Sequence, residues 1–238
     1  MKVLVLGASG ATGSLAAMQL IKKQINIRIV ARDGAILPEE ITDNPLIEIK
    51  KGNINEINDS EMINLLQDCD AIVSCLGHNI TFKGMFGKPR DLVSGSIRNI
   101  SKTIKEMSDK KVKLIIMSTT AYTNTIKGEK NSIGEKIIFS TLKLLLPPHR
   151  DNVMAAQYLQ EEIGKENKKI EWIAVRPDTL VNEGTTSPYE IYDSPISSPI
   201  FNAGKTSRIN VSHFMADLLT NDRLWREWQY KMPVIYNK

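Results

Sequence analysis

Three glycines set three residues apart, Gly7, Gly10 and Gly13, carry the clearest chemical signal in the chain. They follow a short apolar run, Val3-Leu4-Val5-Leu6, and lead into a helical pattern. In a strand, turn and helix of this kind each glycine has its own job. Gly7 permits a sharp turn that a Cβ would block. Gly10 lets the backbone come close to a pyrophosphate, and Gly13 lets the helix pack tightly on the strands. The helix start then offers unpaired N–H groups and a partial positive charge to the phosphates. The expected contacts are Gly7, Ser9, Gly10, Ala11, Thr12 and Gly13, and the expected ligand is a dinucleotide held by its diphosphate. The plainer alternative is a tight turn in an α/β protein.

Arg32 is the next candidate, the first charge after a second apolar run at residues 25–30. Sites for NAD commonly place an acid near the end of the second strand, on the ribose 2′-OH, whereas an arginine nearby accommodates a 2′-phosphate. A charge-assisted bond of this type contributes about 1.5–3 kcal/mol, roughly a tenfold to hundredfold preference. Arg32, with a hydroxyl added by Thr12, points to NADP, with NAD possible. Asp33 opposes this if its carboxylate turns inward, and a solvated surface arginine is the competing reading.

The elements that must position these residues alternate between strand and helix. In the first helix Ala11, Leu15, Met18, Leu20 and Ile21 form the apolar stripe, with Gln19, Lys22 and Lys23 outside. A polar stretch with Pro38 and Pro45 leads to a strand at residues 46–50, a helix at 56–67, and a strand at 70–74. A long amphipathic helix at 91–107 and a fifth strand, Val112–Met117, follow. Ligands of open parallel sheets bind beyond the carboxyl ends of the strands. Gly7, Arg32, Asn53 with Ile54, Cys75-Leu76-Gly77, and Ser118-Thr119 all fall at that edge. The loop at 78–90, with Phe82, Met85 and Phe86, either flanks a substrate pocket or is an irregular surface loop.

These features resemble the short-chain dehydrogenase/reductase superfamily, and within it the atypical branch of NmrA-like and flavin/biliverdin-reductase-like NAD(P)-binding proteins. The likeness rests on Gly7-x-x-Gly10-x-x-Gly13, Ala31-Arg32-Asp33, Gly52-Asn53-Ile54, the Ser118-Thr119 strand end, and a sixth strand, Ile170–Pro177, ending in Arg-Pro. It implies a Rossmann-type, doubly wound parallel α/β sheet in one domain, with residues 178–238 contributing a small substrate region. It also implies that Asn53, where relatives read aspartate, contacts adenine, that Ser118 and Thr119 border the nicotinamide or polarise a substrate oxygen, and that Pro177 flanks the carboxamide. One departure stands out. The Tyr-x-x-x-Lys pair of tyrosine-dependent members is missing: Tyr122, Tyr158, Tyr189 and Tyr192 are followed four residues later by Ile126, Glu162, Asp193 and Ile196. Several atypical reductases take the proton from solvent instead, and other relatives bind the cofactor and do no chemistry.

A basic, aliphatic helix is expected at 134–146, broken by Pro147-Pro148 and followed by a helix at 153–163 that Asp151 or Asn152 would cap. His149 is a candidate proton donor, or a surface histidine on a turn; His78 and His213 are weaker, the latter expected to bond the backbone. The three histidines lack metal-ligand spacing, so no metal is expected. Residues 178–199 are a substrate-covering loop or a disordered excursion. A return strand at 207–211 leads to a helix at 212–219, and Trp225, Trp228 and Tyr230 anchor a last strand around Val234-Ile235.

The composition sets bounds on partners. A chain of 238 residues builds a sizeable core. Its charge of +4 is mild and scattered, which gives little support to nucleic-acid binding. Cys69 and Cys75 are expected to be packed thiols. No signal peptide is evident and no apolar run is long enough to span a bilayer, so a cytoplasmic protein without membrane contact is expected, monomeric or homodimeric. The leading function is an NAD(P)H-dependent reductase of a small carbonyl, quinone or flavin-like molecule. The alternatives are a non-catalytic redox sensor and, against the missing tyrosine pair, a nucleotide-sugar epimerase.

Overall fold

The computed structural model describes residues 1–78, 87, 89–107 and 111–238, apart from the Leu144 side chain. The expected pocket-flanking Phe82, Met85 and Phe86 lie outside the described residues. Within them an eight-stranded sheet runs in the order β3-β2-β1-β4-β5-β6-β10-β8. The strands are β1 (Lys2–Leu6), β2 (Asn26–Ala31), β3 (Ile47–Lys51), β4 (Ala71–Ser74), β5 (Val112–Met117), β6 (Ile170–Pro177), β8 (Tyr189–Tyr192) and β10 (Val234–Asn237). All neighbours pair in parallel except β8, which runs antiparallel to β10. A separate pair, β7 (Thr179–Val181) and β9 (Lys205–Ser207), lies beyond β6.

Both sheet faces are covered, so the inner strands are apolar on both sides. Val3 and Val5 face one core, with α1 (Ala11–Lys22), α7 (Arg208–Thr220) and the tryptophans of α8 (Asp222–Trp228). Leu4 and Leu6 face the other, with α3 (Asp59–Leu66), α4 (Leu92–Met107) and α6 (Pro147–Tyr158). Two further helices are α2 (Glu39–Thr42) and α5 (Ile133–Leu145). The stripe expected for α1 is shifted: Gln19 is buried and Ala11 exposed. Small residues, Ala16 and Ala17 beside Leu20, form the packed face because they let α1 and α7 approach closely.

Three buried charged groups tie these layers together. Arg28 on β2 reaches under α3, donating to the carbonyls of Asn64 (3.1 Å), Leu65 (2.7 Å) and Gln67 (2.9 Å), the helix end where a cation is favoured. Arg176 on β6 is fully buried and pairs bidentately with Glu129 at 2.7 and 2.9 Å. It also donates to the carbonyls of Met232, Tyr122 and Asp193, which joins β6 to the segment after β5 and to the C-terminal strands. Asp151, 1 % exposed, accepts from the Val93 N–H (2.7 Å), the Ser94 N–H (2.9 Å) and Ser94 Oγ (2.5 Å). His78 Nε2 lies 2.9 Å from the same carboxylate.

Several expectations need correction. Pro147-Pro148 does end α5, as expected, but it also starts α6, well before the expected residue 153, because proline at the first helical positions forfeits only N–H groups that have no partner there. Asp151 therefore sits inside α6 and caps α4 from a distance. The helix expected from residue 56 begins at Asp59, where Asn58 and Glu61 form a capping box. Residues 178–199 contain β7 and β8, ordered by pairing that local composition does not reveal. The return strand stops at Ser207, which caps α7 through the Asn210 N–H. His213 lies within α7 and meets Tyr189 Oη (2.9 Å) and Asp217 (3.3 Å) instead of backbone. Asp151→Ala should cost about 3 kcal/mol or more, since it strips a buried donor cluster of its charge. Urea unfolding measures this, and an unchanged midpoint would show the clasp to be energetically idle.

Candidate cofactor site

The sheet order changes direction between β1 and β4, and the carboxyl ends of β1 to β4 enclose a cleft there. At the end of β1 the chain turns at Gly7, with φ +78°. A Cβ on Gly7 would lie 2.6 Å from the Cys75 carbonyl oxygen, and one on Gly13 would lie 2.1 Å from the Gly7 carbonyl oxygen. The Gly10 N–H closes the turn on Gly7 O at 2.9 Å. Gly10 then stands at the N-cap of α1 with no side-chain cap, and no acid occupies the first turn. Ser9, Gly10 and Ala11 are exposed there, so this helix start is open to an anion.

The other walls come from successive strand ends. Arg32 lines the cleft just past β2, and among the described residues its exposed guanidinium has no carboxylate partner. Gly52, Asn53 and Ile54 follow β3, and Cys75, Leu76 and Gly77 follow β4. The Asn53 amide donates to Glu56 Oε1 at 2.8 Å while its carbonyl accepts from the Asn55 N–H, so its side chain is already engaged. Burial pushes the Cys75 thiol up to about 12, which makes it a packing group and not a nucleophile. The cleft measures about 120 Å³. That is below the roughly 300–1,000 Å³ of whole-ligand pockets, so it suits one heterocycle, with the diphosphate at the open Ser9–Gly10 edge.

Thr12 is buried behind the turn, its carbonyl accepting from Ser212 Oγ at 3.0 Å, and neither it nor Ala11 nor Gly13 lines the cleft. Leu6, Val30 and Leu92 do line it, although sequence reading missed them. Their only available signal was position: Leu6 ends β1, Val30 lies one residue inside the end of β2, and Leu92 is the first residue of α4.

At the ends of β5 and β6 the Ser118 N–H donates to Val175 O at 2.7 Å, while Ser118 Oγ is buried with no hydrogen-bond partner among the described residues. Ser74 Oγ, at the end of β4, is in the same state. Neither serine is among the residues lining the cleft; an orphaned buried hydroxyl is a group that a bound polar partner would satisfy. Thr119 Oγ1 is less free, since it accepts from the Ala121 N–H at 3.1 Å. The Pro177 carbonyl accepts from the Thr120 N–H at 3.4 Å. His149 is elsewhere: it stacks on Phe139, centroids 6.2 Å apart, in a recess that shares no residue with the cleft. Burial, and then the Lys143 charge, hold its pKa below the ordinary histidine value. The reason is the early start of α6, which carries His149 on its first turn and toward α5. Among the described residues no cluster of His, Cys, Asp or Glu could hold a metal ion.

Residues 7–222 match the model of the NAD(P)H-binding family. No curated protein matches the sequence. Among solved structures, an oxidoreductase from Lactococcus lactis superposes with a TM-score of 0.71 at 18% identity, over 100% of this chain and 91% of its own. A short-chain dehydrogenase/reductase from Veillonella parvula, in complex with NADP, gives 0.70 at 17% identity, over 99% and 94%. The anaerobillin reductase ChuY of Escherichia coli gives 0.68 at 14% identity, over 100% and 97%. Likeness at these identities establishes the shared fold.

His149→Gln should leave cofactor binding unchanged within about twofold. Because the folded state holds His149 below 6.5, protonation favours unfolding, and this residue's contribution is lost as the pH falls below 6.5. The glutamine variant should lose less stability than the parent across that fall, as read by thermal melts.

Proposed function

The chain belongs to the NAD(P)H-binding family, and from that premise we propose that it is an NADP(H)-dependent oxidoreductase acting on a small carbonyl-, quinone- or flavin-like acceptor. The observation that carries the reading is the Arg32 guanidinium, without a carboxylate partner among the described residues, on the same cleft as the Gly7–Gly10 turn. An arginine that is left without a carboxylate beside an open helix start offers a second anion site one strand away from the first. That spacing suits a diphosphate at the turn and a 2′-phosphate at Arg32.

The bound dinucleotide would supply hydride at its nicotinamide. The residues of the chain bind and orient. Gly7 and Gly13, where any Cβ would collide with backbone, keep the turn in place. Leu6, Val30 and Leu92 offer apolar walls to a heterocycle. Ser118 Oγ, buried past the end of β5 and without a partner among the described residues, is the hydroxyl that this reading assigns to a developing oxyanion on the acceptor.

No tyrosine takes the acid role in this reading. Tyr122 is the tyrosine nearest in sequence to Ser118; its hydroxyl is bonded to Gln160, and burial pushes it up to about 12. A lysine-lowered tyrosine would show the opposite shift. The proton then comes from solvent, which fits acceptors whose reduced form is a stabilised anion more than simple alcohols.

Two measurements test this. Calorimetric titration should show NADPH bound more tightly than NADH, and Arg32→Ala should erase the preference, a loss of roughly tenfold to hundredfold. Tighter binding of NADH that ignores this substitution would reject the NADP assignment. NADPH oxidation should be followed with quinones, flavins and aldehydes as acceptors. Ser118→Ala should lower kcat by about 10²-fold with little change in cofactor affinity. Tight binding without turnover across the panel would instead favour a redox sensor.

A further inference from the structure

Helix α5 is apolar on both sides, which is the pattern of a helix that is covered all round. Its inner side, with Ile138, Phe139 and Leu142, is partly buried. Its outer side carries Ile133 and Ile137, one turn apart, while Leu145, exposed at the last residue, falls on the line of Ile138. Neighbouring segments extend the same surface. Phe201 lies over Gly134, close enough that a Cβ there would sit 3.1 Å from the ring. Ser198 Oγ bonds Glu135 at 2.5 Å, which brings Ile196 to the rim of a cavity that Lys127 also lines. Ile126, Ile133, Ile137, Leu145, Ile196 and Phe201 are all 58–78 % exposed. Four of them, Ile133, Ile137, Ile196 and Phe201, are thus gathered on one face instead of scattered.

The exposed charges along α5 are mainly positive, with Glu161 in the recess beside Lys143 as the exposed acid on that flank. Lys127, Lys130, Lys136 and Lys143 are exposed. The two acids of the segment turn inward: Glu129 onto Arg176, and Glu135 onto Ser132 and Ser198. Asp193, at the edge, is spent on Lys127 (3.5 Å) and Lys231 (3.9 Å). On the helix, Lys136 and Lys143 fall on one flank of the Ile133–Ile137 line by the ordinary helical period.

We propose that this face docks on an anionic lipid surface, with α5 lying in the headgroup region. Isoleucines and a phenylalanine ringed by lysines are the composition of an interfacial helix. No helix among the described residues is long and apolar enough to cross a membrane, so the contact is peripheral. A second copy of this chain fits the face less well, since a two-fold contact would set lysine against lysine. The earlier expectation of no membrane contact weighed only spanning segments, and an interfacial helix is invisible to that criterion. The same face holds the mouth of a cavity of about 430 Å³ beyond the β5 and β6 ends, which docking would turn toward the lipid.

The test is flotation of the full chain with vesicles of phosphatidylcholine alone and with about 30 mol% phosphatidylglycerol added as the anionic lipid. Binding to the anionic vesicles is expected, falling with added salt. Lys136→Gln with Lys143→Gln should weaken it about tenfold or more, and Ile133→Ser with Ile137→Ser should weaken it comparably. All four positions are exposed, and retained NADPH affinity would show that each variant is folded. Absence of flotation at low salt overturns the proposal, as does equal binding to both vesicles that ignores the lysines. Concentration-dependent dimerisation in sedimentation that the Ile133→Ser, Ile137→Ser variant abolishes, without flotation, would assign the face to a second copy.

Discussion

The structure depends on a contact with no side chain in it, the backbone of Gly7 against the start of α1. With Gly13 in place, the helix settles so close to the Gly7 carbonyl that a methyl group would have to occupy the space of the oxygen. That closeness sets where α1 begins, and therefore where its unpaired N–H groups point. It also sets how α1 meets α7, since Thr12 and Ser212 are joined directly above the same turn. Gly7 itself is pinned from the other side by the Cys75 carbonyl, so β1, β4 and α1 converge on one backbone knot. A diphosphate resting there would meet chiefly main chain, and main chain cannot change rotamer. The grip is preorganised.

Buried charge supplies the complementary constraint. Arg28, Arg176 and Asp151 are each too costly to bury alone, and each is surrounded by enough opposite charge or dipole to be satisfied. Their partners lie far away in sequence. Asp151 binds a helix start about 58 positions earlier, and Arg176 gathers carbonyls from both before and after it. Such groups contribute less to net stability than to uniqueness, because an alternative packing would strand them. They also fence the cleft. Asp151 fixes the first turn of α4, where Leu92 meets the cofactor cleft, and Arg176 fixes the segment that follows Ser118.

Much of this was legible in the residues. The alternation of Val3-Leu4-Val5-Leu6 and the glycine spacing determine a strand, a turn and a helix with little outside help, and the site walls at Arg32, Asn53 and Gly77 follow from strand ends. Val112–Met117 was readable to the residue because a mostly buried strand is a nearly continuous apolar run, whereas Ile170–Pro177 was placed by its likeness to a family strand that ends in Arg-Pro. What was not legible depended on partners distant in sequence. Asp151 reads as a local helix cap, and only the folded chain shows that the helix it caps is another one. Residues 178–199 look like loop because Pro, Ser and Gly dominate locally, yet β8 forms by pairing with β10. His149 looked chemical beside two prolines, and its role changed once those prolines proved to open a helix.

The same reasoning separates what α5 does from what its sequence suggests. A basic, aliphatic helix would ordinarily bury the aliphatic side and show the basic one. Here the inward positions include Glu135, whose carboxylate is held below the usual range by the Ser198 and Ser132 hydroxyls, while isoleucines point outward. Placing an acid inside and isoleucine outside is unfavourable for a lone folded domain on both counts. The first cost is met by the hydroxyl cradle that joins α5 to residues 194–201. Nothing in the described fold meets the second. A helix so arranged makes physical sense when the solvent on its outer side is not water.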